Sequence, residues 1–600
     1  MPADAVTIEL IRNALISVTG EMRTKIMRSA FSPIIYESLD FSVAFFNERV
    51  ETLAQADGLP YFLCDLPNAV RAVIEDVGGV EHMRAGDVFL VNDPYRCSQH
   101  PQDVSIVKPA YYRGELFGFT AVRVHLIDLG GKAGFASTDA TEIFQEGLVI
   151  PTVHLHSEGR LNEEIVRLMA ANSRMSRSTM LGDLQAQVGA CIVGEERLVE
   201  VIDRYGYELY RECCDALLVQ GEAYARAKVR EIPDGRYLAE LFLDDDGVNR
   251  DEPVRIKVSL VVDDSDMVVD LTGSSGPCAG PYNMNPNYTN AICRIAFKSL
   301  TSPHEPSNEG HFRPVRAHVP DESVFNALRP SPVFWGFKTA GTLVDCIRRA
   351  ATQAVVGQPV AGNYGWSCGA HVFGEHPADG SFFAMVDEAG GGWGARPGAD
   401  GEDAMVMGGI RNNPVEVSER KFPVRVEAYE LRAGSGGAGA FRGGLGVRRA
   451  TRLLADVRLV ANFERSQCLP WGLHGGQPGQ GSFIDIHHPD NRGERVQKCT
   501  NHALPAGSRV VYFTGGGGGY GDPRERAIER VMDDLRRGHI TPAEAESDYA
   551  VCVDQDTGQV DVPKTRSLRA GQGRSDDSGE TAADGAIETR QPHSREKREG

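Results

Sequence analysis

Glycine decides most of what the second half of this chain can become. The stretches GSGGAGAFRGGLGVRR (434–449), LPWGLHGGQPG (469–479) and TGGGGGYGDPRER (514–526) carry it at a density that no long helix tolerates, since each glycine inside a helix costs about 1 kcal/mol relative to alanine. Tight turns, close backbone approaches and β-structure are what such segments build. The region 360–520 therefore reads as mostly β. The run Gly515–Gly519 lacks the Lys-Ser/Thr of a phosphate loop and leads into a Tyr-Gly-Asp-Pro turn. It is assigned to a tight turn or to a close backbone approach at an interface between subunits, rather than to nucleotide binding.

The first half has a different texture. Asp4 can cap a helix over 4–29, in which Ile8, Ile11, Leu15, Val18, Met22 and Ile26 recur at helical spacing. In ESLDFSVAFFN, alternation places Phe41, Val43 and Phe45 on one face of a strand, with Asp40 at its edge. DVFLVNDPY (87–95) and FGFTAVRVHLIDLGG (117–131) read as further strands, and 161–228 as helical. Strands resume over 236–275, separated by acidic turns, with Asp244-Asp245-Asp246-Gly247 taken as a solvated turn. Residues 278–330, rich in Pro, Asn and Gly, read as loops. A helix is expected at about 338–356 and two short ones over 523–549, the second opened by Thr541 and Pro542.

Six hundred residues exceed one core. The expected fold class is mixed α/β and multidomain, with mixed sheets: a metal-bearing N-terminal domain (1–230), a central mixed region (231–430), a β-rich C-terminal region with terminal helices (431–565), and a disordered polar tail (566–600). A net charge of −20 and no dense Lys/Arg run before the extreme C-terminus argue against nucleic acid as a partner. No stretch is apolar enough to span a bilayer, and the N-terminus has no signal-peptide pattern. Twelve cysteines without a CxxC pair suit reduced thiols in the cytoplasm.

Chemistry concentrates in NDPYRCSQHPQDVSIV and RVHLIDLGG. His100 and Asp103 stand three apart, and His125 and Asp128 repeat that spacing 25 residues on. Two His-x-x-Asp units beside strands can bring imidazoles and carboxylates into one pocket, a donor set that borderline divalent metals accept. About three protein ligands would leave a position for water, and a spare carboxylate could orient an imidazole or take a proton. Cys97, three residues before His100, is an alternative nucleophile, although a free cysteine is more often a small buried hydrophobe.

These motifs, with TEIFQEGLVIP (141–151), TSPHEPSNEGHFRPV (301–315), NNPVEVSERKFP (412–423) and the three glycine stretches, resemble the hydantoinase B/oxoprolinase family, in order, over about residues 5–565. The resemblance implies a B-type subunit of an ATP-dependent cyclic-amide hydrolase acting on a hydantoin, lactam or 5-oxoproline-like ring. It also implies an A-type partner subunit that binds ATP and phosphorylates the amide oxygen, in a hetero-oligomer. The metal ligands it implies are Asp40, His100 and His125. Asp103 is then a fourth ligand or the base, and Asp128 a supporting carboxylate able to move the proton. The divalent metal is zinc foremost, with manganese or iron as alternatives, and a metal-bound water attacks the activated amide carbon.

Two departures stand out. The family reads Gly-Gly-Thr before the first histidine, where this chain has Cys97-Ser98-Gln99, and paired histidines where it has His125-Leu126. The ligand positions survive and one polar neighbour is lost, which suits a different substrate or a partly degenerate site. Two other classes of function stay open from sequence: a subunit of an acetone- or acetophenone-type carboxylase, and a non-catalytic scaffold.

Overall fold

A computed structural model describes residues 4–354, 359–554 and 556–571. Helix α1 (Ala5–Ser29) begins where Asp4 accepts hydrogen bonds from the Val6 and Thr7 amides, both 2.9 Å, and it buries the expected stripe from Ile8 to Ile26. A single turn, α2 (Pro33–Tyr36), leads into an antiparallel sheet of seven strands. In chain order these are β1 (Phe41–Asn47), β2 (Thr52–Gln55), β3 (Val88–Val91), β4 (Asp103–Tyr112), β5 (Glu115–His125), β6 (Val153–Ser157) and β7 (Arg160–Leu161), arranged β2-β1-β5-β4-β3-β6-β7.

Helix α3 (Pro60–Val77) covers one face of this sheet, packing Leu66, Ala69 and Val70 against Ala44, Phe46 and Phe119. The expected helical stretch resolves into α4 (Glu163–Ala171), α5 (Arg177–Tyr205) and α6 (Tyr207–Val229). On the other face Ile8, Ile11 and Leu15 of α1, Leu198 and Ile202 of α5 and residues of α6 close over Phe45 and Phe117. The alternation expected in β1 is present. Because both faces are covered, every residue from Phe41 to Asn47 is buried.

The second sheet, β11-β10-β9-β8, is built from β8 (Gly235–Leu243), β9 (Val254–Asp263), β10 (Asp266–Asp270) and β11 (Val315–His318). Two expectations fail here. Residues 278–330 are not loop throughout, because Pro286–Thr301 form helix α7: the Pro/Asn cluster is a helix start, in which Asn285 accepts from the Tyr288 amide at 2.8 Å with Pro286 in the first turn. Nor is Asp244-Asp245-Asp246 solvated. Asp244 accepts the amides of Ser466, Gln467 and Cys468, Asp245 pairs with Lys498 at 2.9 Å, and Asp246 accepts the amides of Val248, Asn249 and Gly280, so the acidic run is a buried clasp. The expected helix near 338–356 is α8 (Gly336–Ala351).

Two five-stranded sheets follow. One runs β13-β12-β17-β20, with β14 also on β12; the other runs β15-β16-β21-β18-β19. Their strands are β12 (Cys368–Glu375), β13 (Phe382–Met385), β14 (Glu388–Ala389), β15 (Val424–Leu431), β16 (Val447–Leu453), β17 (Val457–Asn462), β18 (Phe483–His487), β19 (Gly493–Val496), β20 (Lys498–Leu504) and β21 (Arg509–Phe513). Between them the glycine segments thread past one another. Gly517 accepts from the Gly437 amide at 2.8 Å and donates to Gly444 O at 2.9 Å, and a Cβ at Gly517 would lie 1.9 Å from Trp393 O. Glycine is required there by close backbone approach, within this chain. Toward the C-terminus Thr541 and Glu544 form a capping box opening Pro542–Ser547, and Val562–Gly571 close the described chain as a helix. The expected disordered tail overlaps this helix over 566–571; residues 572–600 lie outside the described residues. No helix among the described residues is long and apolar enough to cross a membrane.

Candidate metal centre at the end of the first sheet

Strand register brings the predicted residues together. Asp103 opens β4 and His125 closes β5, and the two are direct cross-strand partners, so their side chains leave the same face side by side. Asp40 immediately precedes β1, and its carbonyl accepts the His125 amide at 3.1 Å. His100 stands on the turn entering β4, where the Asp103 amide donates to His100 O at 3.1 Å.

The turn is built to hold that histidine. Ser98 has φ 94°, a conformation suited to glycine. It is kept there by its amide donating to Asp65 Oδ2 (2.8 Å) and its hydroxyl donating to Asp103 O (3.0 Å). Gln99 donates to Phe334 O at 3.1 Å and accepts from Tyr288 OH at 2.8 Å. The Cys97-Ser98-Gln99 departure therefore supplies its own anchors. Leu126 is fully buried in the core.

His100 Nδ1 and His125 Nδ1 each lie 3.4 Å from Asp103 Oδ1. One nitrogen or oxygen from each of these three residues falls within 4.8 Å of the others. Asp40 Oδ1, His100 Nδ1, both Asp103 oxygens and His125 Nε2 are buried without a hydrogen-bond partner. Buried polar atoms normally find partners, so unpartnered atoms on His100, Asp103 and His125, residues that each bring a ligand atom within 4.8 Å of the others, mark a candidate place for a cation, and Asp40 lines the same cavity. Two imidazoles and two carboxylates suit zinc, manganese or iron alike. The chemistry of the donor set fits a divalent metal.

Electrostatics agrees. Burial lifts Asp40 to about 7, with Asp103 and Glu388 adding to the rise and His125 opposing it. Burial holds Asp103 well above the usual carboxylate range and drives His100 well below the usual imidazole range. His125 is lowered too, again by burial. Unpaired charge is costly here, and a divalent cation would invert that preference.

Aromatic rings fix the imidazoles. His100 stacks on Phe334 at 4.4 Å and meets His125 edge-on at 4.9 Å. Phe334 is in turn set by Glu146, which accepts the Val333 and Phe334 amides at 2.9 Å each; burial pushes Glu146 up to about 8. Asp40, His100, Asp103 and His125 line a cavity of about 30 Å³ with Tyr61, Phe135, Phe334, Trp335 and Glu388 among its other walls, room for a small ion and water.

Asp128 does not join them. Its carboxylate is taken by Arg174 (2.7 Å) and Ser173 (3.2 Å), where it ties the strand exit to the approach of α5. The three-residue spacing that serves Asp103 fails for Asp128, because β5 ends at His125 and the chain turns away. Cys97 is also elsewhere: its thiol is fully buried in the core under α3, and burial pushes it up to about 12, opposite to what a nucleophile needs.

Spacing gave no sign of the far wall. Glu388 on β14 lines the cavity from the third sheet, and His371 on β12 stands beside it against Phe135, ring centres 4.4 Å apart. His371 Nδ1 accepts the Asp387 amide at 3.2 Å, leaving Nε2 to carry the proton, 3.4 Å from Glu388 Oε1. Glu388 Oε2 has no partner, and burial raises this carboxyl. Lys338, fully buried on α8 and lowered by burial, donates to Ser367 Oγ at 3.0 Å. Only their place in the motif-poor stretch before NNPVEV hinted at them; Asn412 of that motif accepts the Glu388 amide at 2.9 Å.

The class that these features define is a mixed α/β protein whose antiparallel sheet ends in a buried His/Asp cluster and whose second half is a glycine-threaded β region. The chain belongs to the hydantoinase B/oxoprolinase family, whose model matches residues 4–523. It is 31% identical over 591 residues to the putative B subunit of a D-/L-hydantoinase from Pseudomonas sp. (strain NS671), covering 94% of this chain and 98% of that one. It is 32% identical over 587 residues to the beta subunit of the caprolactamase of Pseudomonas jessenii, covering 94% and 99%. The crystal structure of the ATP-dependent caprolactamase from that organism superposes with a TM-score of 0.87 at 30% identity, over 94% of this chain and 99% of that one. The nucleotide-free acetone carboxylase structure shares the fold, with a TM-score of 0.85 at 19% identity, over 94% and 83%.

Proposed function

We propose that this chain is the metal-bearing subunit of an ATP-dependent hydrolase of cyclic amides, working with a separate ATPase subunit. The observation that carries the reading is the gathering of His100, Asp103 and His125, each with an unpartnered buried polar atom, in a cavity that Asp40 also lines. The similarity to an ATP-dependent caprolactamase and to a hydantoinase B subunit supports a lactam or hydantoin ring as the substrate class and a partner subunit beside this chain.

Asp40, His100, Asp103 and His125 would hold the ion. Bound there, a divalent metal, zinc foremost, supplies Lewis acidity that makes water reactive at neutral pH. The protein groups do the rest. Phe135, Phe334 and Trp335 exclude bulk water and keep the imidazoles in one orientation. Phosphorylation of the amide oxygen in the partner would deliver an activated ring carbon. Once water adds, the tetrahedral species either expels phosphate, returning the amide, or expels nitrogen, opening the ring to an acyl phosphate from which a second water releases phosphate and leaves the carboxylate. Nitrogen leaves only with a proton. Glu388 Oε2, buried and unpartnered on the wall opposite the cluster, is placed to hold that proton, while Asp103 accepts the one released by water.

The test is elemental analysis of the purified chain and of its His100→Ala/His125→Ala variant, followed by co-expression with the ATPase subunit and assay on caprolactam, hydantoin and 5-oxoproline. About one divalent ion lost in a folded variant, with ATP-dependent ring opening by the wild type, is expected. A metal-free wild type after reconstitution would sink the reading.

A further inference from the structure

A second group of ligand-type side chains gathers where the chain crosses between the two C-terminal sheets. β18 and β19 belong to one sheet and β20 to the other, and only Gln497 separates β19 from β20. Three residues meet across this crossover. His488 follows β18 in a tight turn: its amide donates to Arg492 O at 2.8 Å, the Asn491 amide donates to His488 O at 3.0 Å, and Asn491 has φ 67°. The turn brings the His488 ring back over β19, where Glu494 lies opposite Ile486. From the other sheet comes His502, beside a register shift between Leu459 and Ala461 that re-aims side chains of β20.

His488 Nε2 lies 2.6 Å from Glu494 Oε1, and His502 Nε2 lies 2.9 Å from the same oxygen. One ligand atom from each residue falls within 4.8 Å of the others. The His488 side chain is only 3% exposed, while Glu494 and His502 keep 29% each, so the ligands are anchored on one side and reachable from the other. Two imidazole nitrogens and one carboxylate oxygen make the His₂Glu set that zinc uses with an open fourth position. We propose that His488, Glu494 and His502 form a peripheral site for a borderline divalent transition metal of the zinc class, distinct from the sheet-end cluster, and that the ion staples the two C-terminal sheets at their crossover. The stapled strand also braces the first cavity. Asn501 of β20 donates to Lys132 O at 2.9 Å and Thr500 accepts the Thr138 amide at 2.9 Å, on the loop that carries Phe135 against His125.

One neighbour works against the metal. Arg492 Nη2 lies 3.3 Å from His488 Nδ1. Ligation through Nε2 puts the ring proton on Nδ1, where it would face a guanidinium that can only donate. Arg492 is exposed and can swing away, yet its charge weakens the site, so its removal should tighten binding.

The experiment is zinc titration of the full-length chain in the His100→Ala/His125→Ala background, by calorimetry and thermal melting. One zinc per chain is expected, with a melting temperature that rises on its addition. Binding should weaken at least tenfold in His502→Gln and tighten severalfold in Arg492→Gln. No zinc bound in that background, or binding indifferent to His502→Gln, overturns the proposal and leaves a hydrogen-bonded triad. Should the double variant fail to fold, the wild type is used. A stoichiometry of two falling to one in His502→Gln supports the site; the same stoichiometry in both overturns it. Because each ion is lost with its own ligands, failure here is separable from failure of the sheet-end centre.

Discussion

Asp103 occupies the most demanding position among single residues. Both of its oxygens are buried and unpartnered, and it lies equally far from the two imidazoles. Asp103→Asn keeps the shape and removes the negative charge, so it should lower metal content at least tenfold with little change in fold, read by elemental analysis and circular dichroism. Glu388→Gln keeps the volume and removes the proton. With the partner ATPase it should slow ring opening by about 10²-fold or more while ATP hydrolysis falls less, so that ATP consumed per ring opened rises. A purely structural role would lower both together. Glu146 gives a pH signature. Its folded value, about 8, lies above the ordinary carboxyl range, so the folded state holds the proton more tightly than the unfolded one. That stabilisation is full at acid pH and is lost as pH rises toward 8. Denaturant melts from pH 5 to 8.5 should show wild-type stability falling more steeply than Glu146→Gln, by about 1.4 kcal/mol per pH unit. Equal slopes would remove Glu146 from the account. His100, Asp103 and His125 were legible in sequence because a three-residue spacing at strand ends is local. Asp128 carried the same spacing and was misplaced, since spacing is blind to where β5 stops.

Elements set the precision. Asp103 and His125 meet only because β4 and β5 pair in that register, and a slip by one residue would turn one of them into the opposite face. Asp65 supports both the strands and the turn, pairing with the buried Arg123 and accepting the Ser98 amide. Breaking a buried pair of this kind costs about 3–5 kcal/mol. The glycine segments make a sharper prediction. Gly517→Ala would drive a Cβ to 1.9 Å from Trp393 O, whereas Gly380, with φ 71° and nothing within 4 Å, sits in open space. Gly517→Ala should therefore lose more than about 4 kcal/mol and recover poorly in soluble form. Gly380→Ala should lose about 1–2 kcal/mol. Similar melting temperatures for the two would remove close approach as the reason for the glycines. Helical periodicity announced α1, α5 and α8, but α7 was hidden because its Asn-Pro start looks like a loop until the buried stripe of Tyr288, Ile292, Cys293 and Phe297 is seen against its neighbours.

At the scale of the molecule, the centre exists because two halves close on each other. The first sheet supplies the four proposed ligands, while Glu388 of β14 and Phe337 of α8 stand among the residues that close the cavity from the rest of the chain. A metal that binds only the folded chain stabilises it by mass action, about 2.7 kcal/mol at a hundredfold excess over its dissociation constant. Chelator-treated protein should melt lower than the reconstituted form, and in His100→Ala/His125→Ala the part of that gain due to the sheet-end centre should vanish. The helical stripe of α1, the strand positions, the glycine-dependent half and three of the four proposed ligands are written in the chain itself, because periodicity, turn chemistry and short spacing are local properties. Folding alone sends Asp128 to Arg174, buries the acidic run at 244–246, and brings Glu388 round to complete the cavity. Those outcomes depend on which distant backbone amides, charges and sheets a side chain meets once the halves have closed, and no local pattern encodes them.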